Sequence, residues 1–189
     1  VSERQPKDTP FELVLLDFSS LPRFGLKGAS LQSWLEQHGY IVGDASNRAY
    51  HQHDGSLAAR LSPRELLFLC DPARPDLSTD HDYLSPRFEC YTVRRLDSHY
   101  WYALNGRSGD CLLAHLCGVD FNPDTFDNGQ LAQTRVAGTG AIVIRNDDGD
   151  SLRYHLLGDR SYAVYMWKCL QDILRDSIWN EPEIVADNC

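Results

Sequence analysis

A chain of 189 residues buries about 70% of its unfolded surface on folding and suits one compact domain or two fused halves. Its 42% apolar and 24% charged residues exclude disorder and fibrous repeats. The net charge of −9 argues against nucleic acid and anionic membrane surfaces as partners, because both need a basic footprint.

Residues 1–10 are polar and mixed in charge and read as a flexible arm. With no basic stretch leading into an apolar one, and no apolar run long enough to span a bilayer, the expected address is cytoplasmic. Residues 11–178 form the expected single compact domain, built of two half-modules at about 11–70 and 88–178, and 179–189 are a tail. Residues 11–18 read as a first strand, broken at Ser19-Ser20-Leu21-Pro22, and 23–30 as a short extended piece feeding a turn. From Ser30 the period changes. Leu31, Trp34, Leu35 and His38 fall at i, i+3, i+4 and i+7, predicting a helix that Gly39 closes in the left-handed conformation. A loop with Gly43, Asp44 and Asn47 follows. Residues 55–61 and 66–70 then predict a hairpin around Ser62-Pro63-Arg64-Glu65, its second strand apolar throughout and therefore central. Residues 71–78, with Pro72 and Pro75, read as the linker between halves.

The second half repeats this order. Residues 88–96 and 99–104 read as strands, and Asn105-Gly106-Arg107-Ser108 opens a helix through Cys111, Leu112, His115 and Leu116, closed near Gly118. A shift of about 78 positions brings Leu26 onto Leu104, Gly28 onto Gly106, Ser30 onto Ser108 and Trp34 onto Leu112. A hairpin of 140–145 and 152–157 turns at Asn146-Asp147-Asp148-Gly149. The last helix, 161–178, carries Tyr162, Tyr165, Met166, Cys169, Leu170, Ile173 and Leu174 on one face. Strand-helix-hairpin modules of this kind bury one sheet face under helices, so the expected class is α+β, with two pseudo-repeated modules.

Candidate chemistry is sparse. Gly25-Leu26-Lys27-Gly28 has the ingredients of an anion-binding turn, but it lacks the phosphate-loop spacing and a following Ser or Thr; a strand-to-helix turn that needs glycine accounts for it. His51 and His53 share one side of an extended segment and could bind zinc with a third ligand, but a solvated turn beside Gly55 is the favoured reading. Cys111, His115 and Cys117 have ligand-like spacing, yet Leu112, Leu113 and Leu116 between them favour a core role. Asn146-Asp147-Asp148-Gly149-Asp150 resembles a calcium loop without its frame or its later glutamate, and reads as a hairpin turn. Glu181 and Glu183 lie in the tail, and no nucleophile stands in a Gly-x-Ser-x-Gly frame. Cysteines at 70, 90, 111, 117, 169 and 189, with no CxxC pair, read as reduced thiols.

Residues 21–28 (Leu-Pro-Arg-Phe-Gly-Leu-Lys-Gly), 60–67 (Arg-Leu-Ser-Pro-Arg-Glu-Leu-Leu), Ala103-Leu104-Asn105-Gly106 and the late Arg160-Ser161-Tyr162-Ala163 resemble, in order and spacing over about 11–175, the gamma subunits of heterotetrameric sarcosine oxidases. The small subunit of N-methylglutamate dehydrogenase has a similar pattern. The resemblance implies the fold of the folate-binding domain of glycine-cleavage aminomethyltransferases, although Ala29 and Arg107 stand where those proteins carry proline in the strand-to-helix turns. It further implies a non-catalytic subunit with no catalytic, cofactor-binding or metal residues of its own. Its partners are alpha, beta and delta subunits; NAD and tetrahydrofolate sit in alpha, FAD in beta, FMN between them, and zinc in delta. The complex would oxidatively demethylate sarcosine or another N-methyl amino acid and pass the one-carbon unit to tetrahydrofolate. The alternative is a stand-alone tetrahydrofolate-binding, aminomethyltransferase-like protein with Asp17 or Asp120 orienting the ligand. Trp34 and Trp167 are expected inside; Trp179 could meet a partner or fold back on its own domain.

Overall fold

The computed structural model describes residues 13–73, 89–176 and 184–185. The expected arm, most of the linker, and Trp179, Glu181, Glu183 and Cys189 lie outside the described residues. Strand β1 (Leu13–Asp17) leads to β2 (Arg23–Gly28), helix α1 (Leu31–Gln37), β3 (Arg48–His51), β4 (Leu57–Ser62) and β5 (Glu65–Leu69). The second half follows the same order: β6 (Cys90–Arg94), β7 (His99–Gly106), α2 (Gly109–Ala114), β8 (Leu131–Val136), β9 (Thr139–Arg145) and β10 (Arg153–Asp159). A 3-10 turn, Arg160–Tyr162, precedes α3 (Ala163–Asp176), and β11 (Ile184–Val185) ends the described chain.

Two sheets result, ordered β3-β4-β5-β2-β6 and β8-β9-β10-β7-β1-β11. They have one plan, and the 78-residue offset read from the sequence brings the first residue of α1 onto the first residue of α2. The equivalence holds down to the turns, since Gly28 N–H donates to the Arg64 carbonyl and Gly106 N–H to that of Leu152. The outer strands are exchanged, however. β1 pairs with β7 of the second half, and β6 pairs with β2 of the first.

Alternation along the strands sorts the core into layers. Leu57, Ala59, Leu67 and Leu69 of the first sheet meet Trp101, Ala103, Ile144 and Leu157 of the second, so the sheets pack face to face. The opposite face of the first sheet, with Phe24, Leu26, Leu66 and Phe68, receives Leu31, Trp34 and Leu35 of α1. That of the second, with Tyr102, Leu104, Val143, Tyr154 and Leu156, receives Leu112 and Leu113 of α2 and Met166 and Leu170 of α3. Helices thus cover both outer faces of an α+β sandwich. Central strands buried on both faces read as nearly continuous apolar runs, which is why β5 and β7 were legible. β3 and β8, half-exposed edge strands with polar alternate positions, have no such run and were not anticipated. Their connections differ as well: Ala137 and Gly138, at φ 47° and 78°, make the two-residue turn between β8 and β9.

α3 is shorter than expected within the described residues, and two of its expected inward residues face out. Tyr162 and Tyr165 are 47% and 49% exposed, because the buried stripe is Met166, Leu170 and Leu174 at i, i+4 and i+8. Trp34 is fully buried, while Trp167 is half-buried with its edge against Tyr102. Gly39 has φ 74°, as a helix closure needs.

Two buried polar groups are tied into the backbone and the sheet. Arg23, 1% exposed, begins β2 and has no carboxylate partner among the described residues. Its guanidinium donates to the carbonyls of Ser19 and Leu21 at 3.0 and 2.8 Å, and to those of Leu96 and His99. Burial, then repulsion from Arg160, lowers its pKa to about 10, which leaves it charged at neutral pH. Between the sheets, the Trp101 indole N–H donates to His155 Nδ1 at 3.0 Å. An indole only donates, so this bond fixes His155 as the neutral tautomer with its proton on Nε2. Burial, with Arg153 adding to it, drives the His155 pKa down to about 3.

Two outcomes are expected from these groups. Arg23→Lys loses the planar fork that spans two loops and should destabilise the protein by about 3 kcal/mol, measured by urea denaturation; an unchanged midpoint would refute the clamp. His155, depressed from an unfolded value near 6.5 to about 3, binds its proton more readily when unfolded. Stability is therefore complete above pH ~6.5 and falls with acidification toward pH ~3, by up to about 1.4 kcal/mol per pH unit for this proton. His99, lowered to about 4 by burial and by Arg95, acts in the same direction. His155→Gln should flatten the dependence of unfolding free energy on pH between 6.5 and ~4 by up to that amount.

Candidate functional site

α3 supplies the most unusual surface among the described residues. Asp159 starts it, accepting from Ser161 N–H and Oγ–H at 2.8 and 2.7 Å; these bonds hold the carboxyl below the usual carboxylate range. The inward stripe anchors the helix, and Tyr102 O–H donates to the Ala163 carbonyl at 3.0 Å. Burial pushes that phenol up to about 12, so it stays a donor. On the other side Arg160, Val164 and Lys168 recur every fourth residue along a groove of about 410 Å³ between α3 and β7. Val164 is 69% exposed, and Tyr162 and Tyr165 flank it. Tyr165 O–H donates to Ala137 O at 2.9 Å, which fixes its ring on the surface. A rigid apolar and aromatic patch edged by two cations in an acidic protein has the composition of a contact surface, with aromatic residues that lose little entropy on burial.

Next to the groove, His99 takes part in a polar chain. Its Nδ1 lies 2.8 Å from Ser98 Oγ and its Nε2 3.2 Å from Arg95, which pairs with Glu65, and Glu65 also pairs with Lys27 at 3.3 Å. Lys27 is thus committed to an ion pair in mid-sheet. The stretch Gly25-Leu26-Lys27-Gly28 is strand, not an anion loop, and Gly28 is needed because a Cβ there would run into the Glu89 carbonyl.

The other residues singled out from the sequence are dispersed. His51 ends β3 and His53 lies in the next loop, both exposed. Cys111 and His115 are exposed and not core, because the short α2 buries only Gly109, Leu112 and Leu113; Cys117 is half-buried. Among the described residues no three His, Cys, Asp or Glu side chains form a metal-holding group, and no disulfide joins the cysteines. In the β9–β10 connection Asp147 is held by Arg145 at 2.7 Å and Asp148 by Arg153 at 2.6 Å, as a hairpin turn requires. Asp17 accepts from Ser19 N–H and borders the α3 groove; Asp120 accepts from Asn122 N–H and Thr125 Oγ–H. Sequence reading missed the Trp101–His155 pair, since a histidine inside an apolar alternating run gives no signal of its partner.

No protein-family model and no curated protein matches the sequence. Among solved structures, the chain is similar to a chain of the heterotetrameric sarcosine oxidase from Corynebacterium sp. U-96 in complex with pyrrole 2-carboxylate. The identity is 16% and the TM-score 0.70, over 92% of this chain and 88% of that one. It is also similar to the glycine cleavage system aminomethyltransferase T from Bartonella henselae, at 16% identity and TM-score 0.66. That match covers 94% of this chain and 48% of the other, so the chain spans about half of that protein's length. No helix among the described residues is long and apolar enough to cross a membrane. The chain has the mixed α+β fold shared by these two neighbours, with its pair of antiparallel sheets.

Proposed function

We propose that this chain is a non-catalytic, gamma-type subunit of a sarcosine oxidase-like flavoprotein complex, and that it supports the subunits that demethylate an N-methyl amino acid. One observation carries the reading: the likeness to the sarcosine oxidase chain runs through nearly the whole of both chains, whereas only about half of the aminomethyltransferase is matched. The patch around Val164 supplies the surface such a role requires. In this reading FAD, FMN, NAD, tetrahydrofolate and zinc belong to the alpha, beta and delta partners, and the complex is cytoplasmic.

Co-expression of the tagged chain with the genes adjacent to its own tests the proposal. Flavin-bearing subunits are expected to co-purify, and Val164→Asp, which places a charge in the centre of the patch, should weaken their retention about tenfold or more. Cys111→Ser, on the α2 side, should leave it unchanged. Recovery of the chain without any flavoprotein would refute the scaffold role, and a saturable heat of tetrahydrofolate binding to the isolated chain would favour the aminomethyltransferase-like alternative.

A further inference from the structure

Four places in the chain set an asparagine or aspartate directly before glycine: Asp54-Gly55, Asn105-Gly106, Asn128-Gly129 and Asp148-Gly149. At such pairs the glycine amide nitrogen can attack the side-chain Cγ of the residue before it and close a succinimide ring, because no β-carbon shields that nitrogen. An asparagine loses ammonia in this step and reacts more readily than an aspartate, which loses water. By sequence, Asn105 and Asn128 therefore rank first.

The structure reverses that order. An amide that already donates to a carbonyl must give up the bond before its nitrogen can approach Cγ. Gly106 is buried and its N–H donates to the Leu152 carbonyl at 2.8 Å; Gly129 N–H donates to the Arg145 carbonyl at 2.9 Å. The asparagine side chains are held as well, since Asn105 Oδ1 accepts from Ser151 Oγ–H at 3.3 Å and Asn128 Oδ1 from Asp147 N–H at 3.1 Å. At the first aspartate, Gly55 N–H donates to the Gln52 carbonyl at 3.0 Å, and Asp54 Oδ1 accepts the Ser56 N–H at 2.9 Å.

The fourth pair differs. Asp148 and Ser151 exchange both backbone bonds, at 2.9 and 3.0 Å, so Gly149 and Asp150 make a two-residue hairpin turn with Gly149 at φ 59°. The first central residue of such a turn stands outside the paired groups, and Gly149 N–H donates to none of the described residues. Asp148 and Gly149 are both exposed, and among the described residues the Asp148 carboxylate is held by Arg153 alone, at 2.6 Å. We propose that Asp148-Gly149 is the site at which this protein forms isoaspartate, and that the hydrogen bonds of the following glycines keep Asn105 and Asn128 intact. Gly149 N bonds to Asp148 Cγ and a carboxyl oxygen leaves as water. Water then returns at either ring carbonyl, and opening at the Asp148 main-chain carbonyl routes the chain through the side chain, one methylene longer, with no oxidant or further reactant. The extra methylene breaks the Asp148–Ser151 pair but not the ladder that begins at Arg145 and Tyr154, so the fold persists. The site does not depend on the subunit role proposed above.

The test compares the folded full chain with its own tryptic digest, both held in mildly acidic buffer at physiological temperature. Isoaspartate is located by electron-transfer fragmentation and counted by methylation with an isoaspartyl methyltransferase and S-adenosylmethionine. In the digest, Asn105 and Asn128 are expected to deamidate ahead of any change at Asp148. In the folded chain the order should reverse, with Asp148 converting about tenfold or more faster than Asp54, whose glycine amide is bonded. Asp148→Asn supplies the like-for-like comparison: the folded variant should deamidate at that position about tenfold or more faster than at Asn128. The proposal is overturned if Asn105 or Asn128 deamidates before Asp148 converts in the folded chain, if Asp54 and Asp148 convert equally fast, or if Asp148→Asn reacts no faster than Asn128. None of these results bears on flavoprotein co-purification, so the two proposals fail separately.

Discussion

The structure turns on the exchange of outer strands, and Arg23 is the group that makes the exchange rigid. For β1 to complete the second sheet and β6 the first, the chain must cross between sheets twice, once after β1 and once after β6. Both crossings bring carbonyl oxygens to the buried Arg23 guanidinium. The Arg23 guanidinium takes carbonyls from each crossing, Ser19 and Leu21 on one side and Leu96 and His99 on the other. A buried cation without a carboxylate partner among the described residues is costly, and here the cost is offset by hydrogen bonds to four carbonyl oxygens. Lysine could not do this with one point charge.

Once the exchange is fixed, neither half can open without the other, and the inter-sheet layer acquires its polar pair. The bond from Trp101 to His155 lies among leucines and alanines of both sheets, where an imidazolium has no counter-ion. Apart from that pair the described layer is apolar, and polar side chains of the β9–β10 loop and Asp71 gather at its end. Among the described residues the end of this layer and the outer face of α3 differ in shape, the first being concave and the second an exposed aromatic patch.

The likeness to a sarcosine oxidase chain and to half of an aminomethyltransferase fits this architecture, because paired sheets of one plan can be extended at their edges or faces without disturbing the central layer. Ala29 and Arg107 stand where proline follows in those turns, and the fold is kept: Gly28 leaves room for the Glu89 carbonyl, and Gly106 takes φ 130°.

The sequence by itself determined the α+β class, the helix from Leu31, the two apolar hairpins and the duplicated order of elements, because each is set by local periodicity or by glycine at a strand-to-helix turn. Periodicity is silent about which sheet a strand joins. The exchange of β1 and β6, the edge strands β3 and β8, and the outward turn of Tyr162 and Tyr165 were decided by tertiary packing, where burial of long apolar faces outweighs local pattern. The same holds for the candidate sites. His51, Asp147 and Asp148 were visible as polar residues in turns, but their assembly with Asp71, Arg153 and His155 around one cavity arises only when strand ends 20 to 100 residues apart meet. Spacing along the chain carries no trace of that meeting, because it is fixed by pairing across two sheets and not by any segment alone.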